Sequence, residues 1–452
     1  MMSPGLLADS DTIAAIATAP GRGAIAIVRV SGDRANRVAA QLVDPWPSLR
    51  VATLCAVYSS AGEQLDQAVV TRYEGPRSFT GEDVVEIACH GGVIVSTSVL
   101  AALLEVGARQ ALPGEFTRRA VLNGKLDVLQ AEAIGDLADA RTRGSQRAAL
   151  SQLDGGLSRR VAVLRDLLLQ LEALIAYDID FPEEDEGPIA PEAITQATDQ
   201  TLGALDALLA TARVGEIIRE GALVVIAGAP NVGKSSLFNA LLGRRRAIVT
   251  ETPGTTRDAL EAVIDTETWP LRLVDTAGLR DTTDVVERLG IEVSADYLTR
   301  ADIVLACGDS DHDLVRAIEI VKEHTEALIL AVRTKIDQDG NSRRIGGGIG
   351  VSAETGAGLG ELVEAITSTL STHQQLPNLD APLLTRARHR RAIQEARDEL
   401  VAFHEARLGA QLPASVAAVH LRTAVHALEE LIGAVDVEDV LERVFATFCV
   451  GK

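Results

Sequence analysis

Five short motifs stand between Gly228 and Ala353 in the order of a guanine-nucleotide switch. They are Gly228-Ala-Pro-Asn-Val-Gly-Lys-Ser235, Gly254-Thr-Thr-Arg-Asp258, Asp275-Thr-Ala-Gly278, Thr334-Lys-Ile-Asp337 and Ser352-Ala353. The first constrains the fold most, because a glycine-rich loop wraps phosphates only where a buried strand runs into a helix N-terminus. Both neighbours are legible: Ala222–Ala227 is an unbroken apolar strand, and a helix is expected from Lys234 through Leu241, stopping near Gly243. Further apolar runs at Leu271–Val274, Ala301–Cys307 and Ala327–Val332 alternate with helical stretches, the rhythm of a parallel sheet covered by helices.

Each motif residue has a chemical reason for its place. Lys234 should reach the β- and γ-phosphates and the Ser235 hydroxyl should ligate Mg²⁺, with Asn231, Val232, Gly233 and Ser236 completing the loop. Thr256 is the expected switch ligand that senses the γ-phosphate through Mg²⁺. Asp275, at a strand end before Thr276 and Ala277, is the acid on the metal side, and Gly278 offers a backbone N–H to the γ-phosphate. Asp337 should accept from the guanine N1 and exocyclic amine, which selects GTP over ATP. The Lys335 stem should pack over the base, and Ser352-Ala353, followed by Glu354, should meet the guanine O6 through backbone N–H. Thr334 stands where an asparagine is usual, so a weaker guanine grip is expected.

Leu279 follows the third motif where many such enzymes place a water-orienting glutamine. Charge developing between the phosphates needs another partner, and Arg257 and Arg280 are near enough in sequence to be arginine fingers or plain surface arginines. A second route starts at Asn231, whose side-chain oxygen could help ligate a monovalent cation. The segment Thr250, Glu251, Thr252, Pro253, Gly254 and Thr255 would supply hydroxyls and carbonyls opposite. Glu287 would then hold the attacking water, or be an exposed helical glutamate.

Outside this region the textures change. Residues 1–122 alternate β-rich runs (Ala24–Val30, Val84–Ala88) with helical stretches and Gly/Pro turns, reading as a small α+β domain. Residues 123–219 read as helical: Val161, Leu164, Leu168, Leu171 and Ile175 share one face, with Leu167 and Leu174 widening it. Asp180–Glu186 is an acidic loop and Gly346–Gly350 a flexible one. Residues 220–374 carry the nucleotide motifs and 375–452 return to helix. The expected architecture is a P-loop GTPase domain (parallel-sheet α/β) inserted in a helical domain whose halves flank it.

Composition excludes several classes. A 47% hydrophobic chain of 452 residues supports two to four packed domains, and no apolar run is long enough to cross a bilayer. Cys55, Cys89, Cys307 and Cys449 show neither metal spacing nor a disulfide framework, and no signal peptide precedes the first domain, so a cytoplasmic setting with no membrane is expected. A net charge of −21 argues against strong unaided binding of nucleic acid. The basic run Arg386–Arg391 reads as a solvated helix face or a local patch, and His90 beside Gly91-Gly92 as a turn-packing residue.

Together with further landmarks, the chain resembles the tRNA modification GTPase family (MnmE, also called TrmE) over essentially its whole length. The landmarks are Asp11-Thr-Ile-Ala14, Pro20-Gly-Arg-Gly23, Arg29-Val-Ser-Gly32, Phe79-Thr-Gly-Glu-Asp-Val-Val-Glu86, His90-Gly-Gly92, Pro113–Ala120, Leu122–Asp127, Asp180–Glu184 and Phe448-Cys-Val-Gly-Lys452. The resemblance implies an N-terminal domain that dimerises and binds a one-carbon tetrahydrofolate (5-formyl or methylene). Arg29, Glu86, Lys125 and Lys452 match the folate contacts. It implies G domains that pair across the nucleotide in a K⁺-dependent way: Asn231, Thr250, Thr252 and Thr255 match the K⁺ site, Ser235 and Thr256 the Mg²⁺ ligands, and Glu287 the acid that organises water. It also implies a flavin-containing partner (MnmG, also called GidA) in a heterotetramer or larger complex. That complex installs an aminomethyl or carboxymethylaminomethyl group at C5 of wobble uridine 34, with tRNA bound mainly within the complex. Cys449 falls in the terminal motif as a reactive or an inert thiol. A competing reading, a regulatory or ribosome-assembly GTPase, would need no folate-contacting set at the chain ends.

Overall fold

The computed structural model describes residues 11–180, 191–244, 248–249, 260–266, 269–275, 295–338, 348–374, 381–408, 414–433 and 451. They belong to two compact units: Met1–Gly135 with Leu428–Lys452, and Asp136–Ala427.

The first unit is built on β1 (Ile13–Ile16), β2 (Ile25–Ser31), α1 (Ala35–Ala39), β3 (Val43–Asp44), β4 (Thr53–Tyr58), β5 (Gln64–Tyr73), β6 (Val84–His90), α2 (Val93–Glu105), β7 (Arg109–Gln110) and α3 (Glu115–Leu122). Its sheet runs β3-β4-β5-β6-β2-β1-β7, antiparallel except where β1 meets β7. Alternation along the strands decides the faces. Ala26, Val28 and Val30 of β2 and Val85, Ile87 and Cys89 of β6 point into one core, closed by Val99, Ala102 and Leu103 of α2. At the end of β6, His90 Nδ1 lies 2.7 Å from Asp66 Oδ1, and its N–H donates to the other carboxylate oxygen. The rest of the His90 ring is exposed.

A charged network ties β7 and α3 to the start of the chain. Arg109 Nε donates to Asp11 Oδ2 at 2.6 Å and Arg119 Nη2 to Asp11 Oδ1 at 2.6 Å. The two guanidiniums also share Glu115 Oε1, at 2.6 and 3.1 Å. The Arg109 hydrogen bond holds the Asp11 carboxyl below the usual aspartate range.

From residue 128 the chain is helical: α4 (Val128–Asp139), α5 (Arg143–Leu153), α6 (Gly156–Asp180), α7 (Pro191–Leu209) and α8 (Ala212–Glu220). The apolar stripe expected on α6 is buried at Val161, Leu164, Leu168, Leu171 and Ile175, while Leu167 and Leu174 are half-buried flanks. The acidic loop after Asp180 lies outside the described residues.

The second sheet comprises β8 (Ala222–Gly228), which feeds α9 (Lys234–Arg244), then β9 (Ile248–Val249), β10 (Leu260–Ile264), β11 (Leu271–Asp275), β12 (Ile303–Gly308), β13 (Leu328–Arg333) and β14 (Ile349–Gly350). Its order is β14-β13-β12-β8-β11-β10-β9, parallel from β14 to β11 and antiparallel beyond. Ile349 and Gly350, expected in a flexible loop, instead pair with Val332 and Arg333 as an edge strand. Two backbone partners were available at the β13 edge, and a glycine-rich run can extend to take them.

Helices α10 (Ala295–Arg300) and α11 (Asp311–His324) cover one sheet face through Leu298, Ala317 and Val321. The other face packs on α9, α12 (Leu359–His373) and α8, with Ile217, Ile218, Val224, Leu273, Trp269 and Ile366 in one continuous core. Helices α13 (Ala387–Leu408) and α14 (Ala414–Ile432) follow. The basic run at the start of α13 is not simply a solvated face. Arg386 Nη2 donates to Asp136 Oδ1 at 2.7 Å, Arg390 lies 3.5 Å from Glu216, and His389 is fully buried.

Candidate functional site

The loop Gly228–Lys234 leaves the C-terminal end of the central strand β8 and enters α9, as the glycine spacing requires. Gly228 is dictated by close approach, since a Cβ there would stand 2.4 Å from the Cys307 carbonyl oxygen of β12. Lys234 is buried, and its Nζ donates to the carbonyls of Gly228 (3.1 Å) and Ala229 (3.0 Å). Those loop carbonyls hold the ammonium at the point where phosphate oxygens would replace them. Asp275 is buried at the end of β11, in register with Ile226 of β8. The strand β8 it pairs with runs on through the phosphate loop to Ser235 at the start of α9, and a hydroxyl and a carboxylate are the oxygen donors that suit a hard cation such as Mg²⁺.

Across the sheet, a cavity of about 170 Å³ is lined by Gly233, Ser236, Thr334, Lys335, Asp337 and Ala353, with Glu354 at its border. The fold thus gathers the first, fourth and fifth motifs, 120 residues apart in sequence, around one opening of the size of a base. Thr334 does for the P-loop what an asparagine would: its buried hydroxyl donates to the Val232 carbonyl at 2.5 Å. The single hydroxyl proton is spent there. Ser352 is fully buried and its N–H donates to Ala357 O, so of the two amides expected at the guanine O6 it is Ala353 that borders the cavity.

The Lys335 stem passes over Gly233, whose added Cβ would lie 3.8 Å from Lys335 Cε, and its Nζ donates to Asn231 O at 2.7 Å and Asp309 Oδ2 at 2.9 Å. Sequence reasoning missed Asp309, because an acid between a strand and a helix cap carries no signal of what lies across the sheet. Cys307, behind the loop, is an inert neighbour: burial pushes its thiol up to about 12.

In the first unit, Arg29 lies within β2 and stands directly opposite Glu86 of β6. Its Nη2 is 2.9 Å from Glu86 Oε1. The guanidinium is flanked by the rings of Phe79 and Phe116, at 5.3 and 5.6 Å. The Phe79 loop is pinned by Lys125 Nζ on Pro76 O (3.0 Å) and Asn123 Nδ2 on Thr80 O (2.8 Å). Arg29 and Glu86 are thus paired directly, while Lys125 meets the loop that carries Phe79. Neither ring was assigned a role from sequence, although both stand in the quoted landmarks. Thr250, Glu251, Thr252, Pro253, Gly254, Thr255, Thr256, Arg257, Thr276, Ala277, Gly278, Leu279, Arg280, Glu287, Cys449 and Lys452 lie outside the described residues.

A phosphate loop on the central parallel strand, facing a base pocket closed by a Thr-Lys-Ile-Asp turn, defines a P-loop GTPase domain. Here that domain is inserted in a helical domain and preceded by an α+β domain. The family described as the MnmE helical domain matches residues 128–449, and the GTP-binding protein TrmE N-terminus matches residues 12–125. Among curated relatives called tRNA modification GTPase MnmE, that of Alkaliphilus oremlandii is 39% identical over 463 residues, covering 98% of this chain and 99% of its own. Those of Heliobacterium modesticaldum and Azoarcus sp. (strain BH72) are each 43% identical, over 467 and 455 residues, with 98% of this chain covered. The chain belongs to the tRNA modification GTPase MnmE family. Among the described residues no helix is long and apolar enough to cross a membrane.

Proposed function

We propose that GTP hydrolysis by this chain serves a folate-dependent modification at C5 of wobble uridine 34 in tRNA, carried out as a homodimer with a flavin-containing partner in the cytoplasm. The observation that carries the reading is the place of Gly451. This buried residue, next to the terminal Lys452, packs on the end of β1, where an added Cβ would stand 2.3 Å from Ile16 O. In the neighbouring register pair Ala15 faces Arg29. Gly451 therefore lies against the strand that pairs with Arg29.

The chemistry of that corner suits a folate. Lys125 offers a cation for a glutamate carboxylate, the adjacent Arg29 and Glu86 a donor and an acceptor for a pterin edge, and the exposed Phe79 a face for a flat ring. Folate would supply the one-carbon unit. The chain's own groups would bind and orient it, and the Arg29–Glu86 ion pair would open to admit it.

At the nucleotide, Lys234 would exchange loop carbonyls for phosphate oxygens, and Ser235 with Thr256 would hold Mg²⁺. Asn231, with a left-handed backbone (φ 64°), turns out of the loop where Thr250, Thr252 and Thr255 would complete a K⁺ site. K⁺ there would offset charge between the phosphates, and Glu287 would orient water. With a net charge of −21, tRNA affinity is expected to come mainly from the partner.

Two measurements test the reading. Calorimetric titration with 5-formyltetrahydrofolate should show binding to the unmodified protein and at least a tenfold loss in Arg29→Ala; equal affinity would remove the folate role. GTP hydrolysis at matched ionic strength should be faster in K⁺ than in Na⁺, and indifference to the cation would remove the Asn231 site.

A further inference from the structure

We infer that Asp309 is a positioning residue of the nucleotide site, acting on guanine-nucleotide affinity through Lys335. The inference rests on the GTPase reading of the second unit and adds to it a residue outside all five motifs.

Asp309 follows the last residue of β12 and precedes Ser310, the N-cap of α11. Three carboxylates crowd this turn, and Asp309 and Asp313 also lie within reach of one another. Asp311 takes Arg333 at 3.1 Å, and Asp313 accepts from the Ser310 hydroxyl it caps with. Asp309 takes the ammonium of Lys335, itself a lining residue of the base cavity, at 2.9 Å.

Lys335 needs such a partner. Its backbone is left-handed (φ 57°), as is that of Asn231 (φ 64°), and its ammonium joins the two by donating to Asn231 O. A four-carbon stem has the largest rotamer freedom of any side chain, which must be lost before it can serve as a platform for a base. One backbone carbonyl directs the tip weakly. The Asp309 carboxylate adds a second, charge-assisted bond that fixes the stem across Gly233 before nucleotide arrives. Affinity then rises because less ordering remains at binding.

Magnitude separates this role from a structural one. Both partners of the ion pair are 34% exposed, and exposed pairs contribute little to folding stability. The effect belongs in nucleotide binding instead, and equally for GTP and GDP, since the base and not the reacting phosphate is contacted. Uniform binding of this kind changes KM and leaves kcat alone.

The test is a double-mutant cycle on the full chain, with fluorescent GDP for Kd and GTP turnover for KM and kcat. Asp309→Asn should raise Kd and KM by about fivefold with kcat within about twofold, and Asp309→Glu should recover most of the loss. In a Lys335→Met background, Asp309→Asn should add less than about twofold, because the group it acts through is gone. An unchanged Kd in Asp309→Asn, or an equal loss in both backgrounds, overturns the inference. So does a fall in the melting temperature of nucleotide-free Asp309→Asn that Asp309→Glu does not restore. Failure of the unsubstituted protein to bind GDP would instead overturn the GTPase reading.

Discussion

Gly215 of α8 lies so close beneath Leu384 that a Cβ on the glycine would stand 2.2 Å from the leucine carbonyl oxygen. The first belongs to the segment entering the G domain, the second to the segment leaving it. The contact is stitched on both sides. The Leu384 N–H donates to Thr211 Oγ1 at 3.1 Å, and Arg219 and Arg386 meet on the same Asp136 oxygen, at 2.9 and 2.7 Å. An inserted domain needs its two connections brought together, and here main chain touches main chain.

Gly215→Val should therefore destabilise the protein by about 2–4 kcal/mol, because the obstacle is backbone rather than a side chain that can swing away. Urea unfolding would measure it. A midpoint like that of the unsubstituted protein would mean that the two segments separate easily.

Thr334→Val keeps shape and removes the hydroxyl that donates to Val232 O. The carbonyl is left without this donor in a buried site, at a cost of about 1–3 kcal/mol. Nucleotide Kd should rise roughly five- to a hundredfold. Equilibrium titration with fluorescent GDP checks this, and Thr334→Ser, which retains the hydroxyl, should lie much closer to the original value.

The Asp11 carboxyl is held below its ordinary value by Arg109 first and Arg119 after it, so its folded pKa is depressed. A depressed acid contributes stability above its unfolded pKa, near 3.8, and loses it as pH falls through the folded value. Glu115 acts in the same direction: burial alone would raise it, but hydrogen bonds from Arg109 and the Leu112 N–H bring it below 4.5. Melting temperatures measured from pH 6 down to pH 3 should fall most steeply below about pH 4. Asp11→Asn should be less stable at pH 6 and show a shallower acid limb. Parallel curves would contradict the assignment.

Cys307 is fully buried, and with its thiol pushed up to about 12 almost none of it is thiolate near neutrality. Iodoacetamide at pH 8, followed by peptide mass analysis, should leave Cys307 unmodified in the folded protein and alkylate it in denaturant. Modification at equal rates in both would show that the sheet opens at β12.

Chemistry borne by local spacing was legible in the residues themselves. Strand β8, its turn and α9 follow from an apolar run, glycines and a lysine in immediate succession, and α6 follows from its 3.6-residue stripe. What escaped was chemistry made by register and crossing. Nothing near Arg29 in sequence shows that Glu86 stands opposite it; that follows only once β2 and β6 are paired. Asp309, one of three acids in its turn, and Asp136, inside α4, take partners from remote segments of the chain. Even Thr334, read as a weakened asparagine, shows its use only once Val232 is seen across from it.

The core that runs from α8 into the G sheet has a thermodynamic meaning. Ile217 and Ile218 share one apolar cluster with Val224, Leu273 and Trp269, so the insert cannot melt without stripping cover from the helix that leads into it. Host and guest are therefore expected to unfold together. Trp269, fully buried in that cluster with its indole N–H on Ser371 Oγ at 3.0 Å, should report the loss of both in a single transition.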